Sequence, residues 1–129
     1  MRGVKLPKIL VDSCGWIAVI DAGINIDHAI TNMLGKYQFI VITSVWDELK
    51  TFQNNNKSKS ILLDLLMSKC ADVSQLKLPK THTDDNLLFL SKENGWPVLT
   101  VDKKLKQRLH ESNCKLIQVV GGKKIELIS

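Results

Sequence analysis

Four short segments carry carboxylates where an apolar strand ends or a helix begins: Lys8–Asp12 (K-I-L-V-D), Thr43–Glu48 (T-S-V-W-D-E), Thr83–Asp85 (T-D-D) and Pro97–Asp102 (P-V-L-T-V-D). In an α/β chain those junctions are where the sheet binds its ligands. Brought together, the four segments would make an all-oxygen anionic pocket, a donor set that suits Mg²⁺ or Mn²⁺. Each acid also has a plain structural reason to be there. Asp12 directly follows the apolar Val11 and can cap the next helix, alone or with Ser13, and Asp102 follows Val101 in the same way at the end of another buried strand. Asp84 and Asp85 complement a helix dipole in the first turn. Glu48 has no capping explanation. It falls one turn into a helix whose other residues face inward, four residues after Ser44. Neighbouring carboxylates raise each other's pKa, so a fold that gathers several at one edge calls for a cation to neutralise them.

Other chemistries find less support. Cys14, Cys70 and Cys114 are far apart and form no C-x-x-C pair, which argues against structural zinc and for free thiols. His28, His82 and His110 have no triad-like context, and His82 reads as a loop residue beside the third acidic segment.

The elements that must position the acids alternate in type. Ile9–Val11, Phe39–Ile42 and Pro97–Val101 read as buried strands, and Lys115–Gln118 as a further strand. Helices are expected from Ser13 to Gly23, over Asn25–Leu34, and from Thr43 or Ser44 through Phe52. Asn54–Lys57 reads as a loop, after which Ser58 or Ser60 restarts a helix through Met67. A weak edge strand is expected over Val73–Leu78. Thr83 is expected to cap a helix ending at Asn94-Gly95, and Lys103–Glu111 forms another with Leu105 and Leu109 inward. Gly121-Gly122 signals a closing hairpin. This alternation predicts an α/β fold: three layers, with helices on both faces of a central, mainly parallel sheet of about five strands.

The 129 residues suit one domain, 1–129, with 44% hydrophobic and 24% charged residues. No run approaches the roughly 18 to 20 apolar residues of a membrane helix, and the N-terminal stretch lacks a signal-peptide core, so a cytoplasmic protein without membrane partners is expected. Eighteen Lys and Arg against thirteen Asp and Glu leave a net charge of +5. An acidic pocket on a basic body suits a polyanionic substrate cut with metal help.

Taken in order, I-L-V-D-S at 9–13, I-T-S-V-W-D-E-L at 42–49, T-D-D-N-L-L-F-L at 83–90 and P-V-L-T-V-D-K-K-L-K-Q-R-L at 97–109 resemble a PIN domain. This is the nuclease fold of VapC-type toxins and ribosomal-RNA processing factors. The closing G-G-K-K-I-E-L at 121–127 is similar to a tail in archaeal PIN proteins that are like the small-subunit processome nucleases. The resemblance implies a metal-dependent endoribonuclease. Its catalytic acids would be Asp12, Glu48, Asp85 and Asp102. Asp12, Asp85 and Asp102 would hold Mg²⁺ or Mn²⁺, with Asp84 the alternative to Asp85. Ser13, Ser44 and Thr100 would support them. RNA would be steered by Lys57, Lys59, Lys103, Lys104, Lys106 and Arg108. An antitoxin, a ribosome-assembly protein or a second copy of the chain are the implied protein partners. Trp16 and Trp46 could stack on bases, although both sit in apolar helical stretches that favour packing.

Two departures stand out. The family often reads D-T-N after strand one and T-N-D before the last helix, where this chain has Asp12-Ser13-Cys14 and Thr100-Val101-Asp102. Both amides are lost, which leaves a catalytically weak PIN module that binds RNA or protein as the alternative. A phospho-acceptor receiver domain is disfavoured, because Asp12-Ser13 does not supply its adjacent acid pair.

Overall fold

A computed structural model describes residues 6–55, 64–66, 68–71, 78–79 and 81–128. The elements run β1 (Lys8–Val11), α1 (Ser13–Ala22), α2 (Ile26–Leu34), β2 (Gln38–Ile40), α3 (Thr43–Asn55), α4 (Thr83–Asn94), β3 (Val98–Leu99), α5 (Lys103–Glu111), β4 (Leu116–Val120) and β5 (Lys124–Ile128). The five strands form one sheet in the order β2-β1-β3-β4-β5. All neighbours are parallel except β4 and β5. The right-handedness rule for parallel crossovers, applied to this strand order, assigns α1 and α2 to one face and α4 and α5 to the other.

The central strands are buried on both faces, which is why they read as unbroken apolar runs rather than alternating ones. Ile9, Leu10, Val11, Phe39, Val98, Leu99 and Ile117 are all buried in the core. Trp16 belongs to that core as well, edge-on to Phe39 with ring centroids 5.4 Å apart, so it is not available to stack on a base. Trp46 is half-buried against the same core.

Several element boundaries differ from expectation. The helix α3 continues through Asn54 and Asn55, two exposed residues that a solvated helix end tolerates, so the polar break starts later than its composition suggests. Thr83 is the first helical residue of α4 rather than its cap. The cap position is His82, whose side chain makes no capping bond. The third strand shortens to Val98–Leu99 and the fourth shifts to Leu116–Val120. Residues 64–66 continue the expected restarted helix and Leu66 is buried, whereas Ser58, Ser60 and Val73 lie outside the described residues. Cys70 forms a parallel bridge to Phe39 beside β2. The hairpin turn uses Gly121 and Gly122 at φ 61° and 64°, the positive-φ pair that an inverse hairpin turn requires.

Chain order fixes where a site can form. The chain leaves β1 toward β2 and leaves β3 toward β4, in opposite directions, although β1 and β3 are neighbours. The crevice at their carboxyl ends is a topological switch point. Register pairs Val11 with Leu99, so Asp12 and Thr100 emerge there side by side.

Candidate metal centre

Asp12 follows β1 and caps α1. Its Oδ1 accepts from the Ser13 backbone N–H at 3.0 Å. Its Oδ2 accepts from the Thr100 hydroxyl at 2.8 Å and the Cys14 thiol at 3.1 Å. The carboxylate is only 6% exposed and Thr100 is fully buried, so these bonds orient a charge within a low-dielectric crevice. Thr100 also accepts from the Asp102 backbone N–H at 3.1 Å, so one hydroxyl links the two strand-ending acids. Asp102 in turn caps α5, its Oδ1 accepting from the Leu105 N–H at 2.9 Å. Both acids therefore serve as caps and still face the crevice.

Glu48 reaches the same edge from the exposed side of α3, where its Oε1 accepts from the Ser13 hydroxyl at 2.9 Å. The start of α3 is tied to the start of α4 by Thr83, whose hydroxyl donates to Ser44 Oγ at 2.6 Å. That bond delivers the Thr83-Asp84-Asp85 segment to the crevice.

The two adjacent acids there have different surroundings. Asp85 is paired with Arg108, Oδ1 to Nη2 at 2.7 Å. Asp84 has no ion-pair partner among the described residues. Partial burial raises its pKa, and the charges of Asp12, Asp102 and Glu48 raise it further, with Arg108 the opposing influence. The Asp84 carboxyl thus lies within electrostatic reach of the other three acids.

Their chemistry fits a hard divalent cation. Every donor is a carboxylate oxygen, and among the described residues no protein donor is bonded to the Asp84 carboxylate, Asp102 Oδ2 or Glu48 Oε2. Among the same residues no three acidic, His or Cys side chains stand close enough to enclose an ion by themselves. That arrangement suits Mg²⁺, which keeps several waters and takes only one or two carboxylates directly.

The expected RNA-steering cations divide. Lys103 and Lys104 are exposed in the first turn of α5, beside Asp102. Lys106 is half-buried and donates to Gln118 Oε1 at 3.0 Å. Arg108 is held by Asp85. Lys57 and Lys59 lie outside the described residues.

Three features were missed by sequence reasoning. Cys14, placed where the family often carries an amide, acts as a donor to Asp12. Burial, more than any neighbour, raises its pKa and keeps the proton on sulfur. Gly15 lets α1 approach β3: a Cβ there would overlap Leu99 O and lie 2.7 Å from the Leu99 carbonyl carbon. A glycine inside a helix's first turn, three residues after a strand-ending acid, was the available signal. The Asp85–Arg108 pair joins two helices across 23 positions and had no local signal.

A sequence profile of the PIN like domain family matches residues 9–121. The curated Ribonuclease VapC4 of Methanocaldococcus jannaschii is 26% identical over 125 residues, covering 93% of this chain and 95% of that protein. A solved structure of the PIN domain endonuclease Utp24 superposes with a TM-score of 0.74 at 18% identity, covering 93% of this chain and 90% of that one. At that identity the likeness is one of fold.

Proposed function

This chain belongs to the PIN-like domain family, and on that footing we propose that it is a divalent-metal-dependent endoribonuclease whose working acids are Asp12, Glu48, Asp84 and Asp102. The observation that carries the reading is that the Thr100 hydroxyl joins Asp12 to the Asp102 backbone at a topological switch point while Ser13 ties Glu48 to the same edge, and the raised carboxyl of Asp84 agrees with it. It also favours Asp84 over Asp85 as the third acid, because the Asp85 charge is already matched by Arg108.

One or two of Asp12, Asp84 and Asp102 would hold Mg²⁺ or Mn²⁺ directly, and the others would act through its waters. When bound, the ion would offset the crowded negative charge, polarise the scissile phosphate and acidify a water. Thr100 and Cys14 hold the Asp12 carboxylate in one orientation through Oδ2. Ser13 does the same for Glu48 through Oε1, leaving Oε2 to orient an attacking water or accept its proton. Lys103 and Lys104, on a helix that opens at the acidic edge, would attract the RNA backbone.

Labelled RNA incubated with Mn²⁺, Mg²⁺ or EDTA tests the proposal. Cleavage is expected with either metal, none with EDTA, and none from Asp12→Asn. No metal-dependent product from the folded wild-type chain would overturn it. The loss of both family amides favours a slow enzyme, and RNA binding without cleavage would identify the non-catalytic module instead.

A further inference from the structure

A cleft of about 380 Å³ is lined by Asp85, Leu88, Phe89, Lys92, Glu93 and Arg108, and it begins one residue after Asp84. Five of these residues recur along α4 with the spacing of one helical face, and Arg108 forms the opposite wall from α5. The volume falls within the range of small-ligand sites. One end of the cleft is Asp85, next in sequence to Asp84. The other is Lys92, seven residues on and therefore roughly 10 Å along the helix axis.

We propose that this cleft binds one nucleotide of single-stranded RNA adjoining the scissile bond, a subsite that deepens the nuclease reading and rests on it. Phe89 sits between the two ends and offers a ring against which a base can pack. Such stacking is tolerant of sequence, because every base has a π-face. Arg108 reaches Asp85 through Nη2. A guanidinium carries five N–H donors, so an anchored Arg108 still has donors to present to a phosphate. Asp85 is then a positioning residue, and its pairing also removes one negative charge that would repel RNA at the entrance. Lys92 is exposed and has no ion-pair partner among the described residues, which suits it to the next phosphate along the strand. The cleft thus orders cation, aromatic ring and cation away from the acidic centre, as a strand of alternating phosphates and bases requires.

The test is binding, measured apart from cleavage. Fluorescence anisotropy of a short labelled oligouridylate in EDTA, over a range of salt concentrations, would compare the wild-type chain with Lys92→Ala, Phe89→Leu and Arg108→Lys. Lys92→Ala should weaken binding and lower the slope of log affinity against log salt by about 0.7, the value for one phosphate contact on a single strand. Phe89→Leu keeps apolar volume for the core. It should weaken binding about five- to hundredfold with the slope unchanged, as expected for loss of one stacked base. Arg108→Lys should weaken binding while retaining charge, because an ammonium lacks the planar fork that can meet Asp85 and a phosphate together. Melting temperatures near wild type would show that the variants fold. Wild-type affinity and slope in all three folded variants would overturn the subsite, as would no RNA binding by the wild-type chain or loss only of a protein partner. Failure of metal-dependent cleavage with these binding effects intact would count against the nuclease reading and not against the cleft.

Discussion

Gly15→Ala is the perturbation that couples fold to site most directly. In an open helix the change would stabilise, by up to about 1 kcal/mol, because alanine is the better helix former. Here the added Cβ would overlap Leu99 O and lie 2.7 Å from Leu99 C and 2.9 Å from Thr100 Cα. All three are backbone atoms of the central sheet, so none can rotate away. To regain ordinary van der Waals separation α1 must recede by roughly 1 Å. Overpacking of this kind costs about 1–3 kcal/mol, which outweighs the propensity gain. For a domain of this size the net loss should lower the melting temperature by about 3–8 °C. The same retreat carries Asp12, Ser13 and Cys14 away from Thr100, stretching the 2.8 Å Thr100–Asp12 bond. A 1 Å misplacement in a catalytic site costs on the order of 100-fold in rate. Calorimetry and metal-dependent RNA cleavage on the same preparation would check both effects. A raised melting temperature with wild-type cleavage would refute the reasoning, since it would mean that α1 does not depend on this contact to set the site.

The raised carboxyl of Asp84 makes stability depend on pH with a definite sign. Between the ordinary carboxylate range near about 4 and the raised value the folded chain holds more protons than the unfolded, so this group's contribution falls as pH rises through that window, and the full penalty stands at neutral pH. Asp84→Asn should therefore melt higher than wild type without metal at neutral pH, converge with it in acid, and show a smaller rise on adding Mg²⁺. A neutral-pH melting temperature unchanged or lower would contradict the crowding. Thr100→Val should cost about 1–3 kcal/mol, because the Asp102 N–H loses its acceptor and the buried Asp12 loses a donor. Thr100→Ser should recover most of that stability and most of the cleavage, and equal losses in both variants would argue against the hydroxyl's role. Cys14→Asn exchanges a weak S–H donor for an amide one at Asp12 Oδ2 and should raise cleavage several-fold. A fall in rate with unchanged melting would show that the thiol is not acting as a simple donor.

Much of this architecture is legible in the sequence because it rests on local rules. Ile9-Leu10-Val11 reads as a buried strand because no polar residue interrupts it, and Pro97–Val101 reads as another although Thr100 lies within it. Asp12 and Asp102 read as strand-ending acids because each directly follows such a run. Strands alternating with helices predicted the mainly parallel sheet, and Gly121-Gly122 its final hairpin. The resemblance carried by the four acidic segments pointed to the PIN-like family. What the sequence left open depended on atoms distant along the chain. Successive helical residues differ by about 100° in direction. Asp84 and Asp85 therefore cannot both face one point, and only the position of Arg108, 23 residues later, shows which of them is matched outside the crevice. Lys106 and Arg108 looked like two more exposed cations until Gln118 and Asp85 came within hydrogen-bond reach of them. Gly15 looked like a propensity defect until Leu99 lay against it. The sequence by itself determined which acids end strands and open helices, since neighbours in the chain decide that. Tertiary structure alone decided which acid is already paired and how closely helix and sheet approach, since charge, burial and close approach depend on distance in space rather than along the chain.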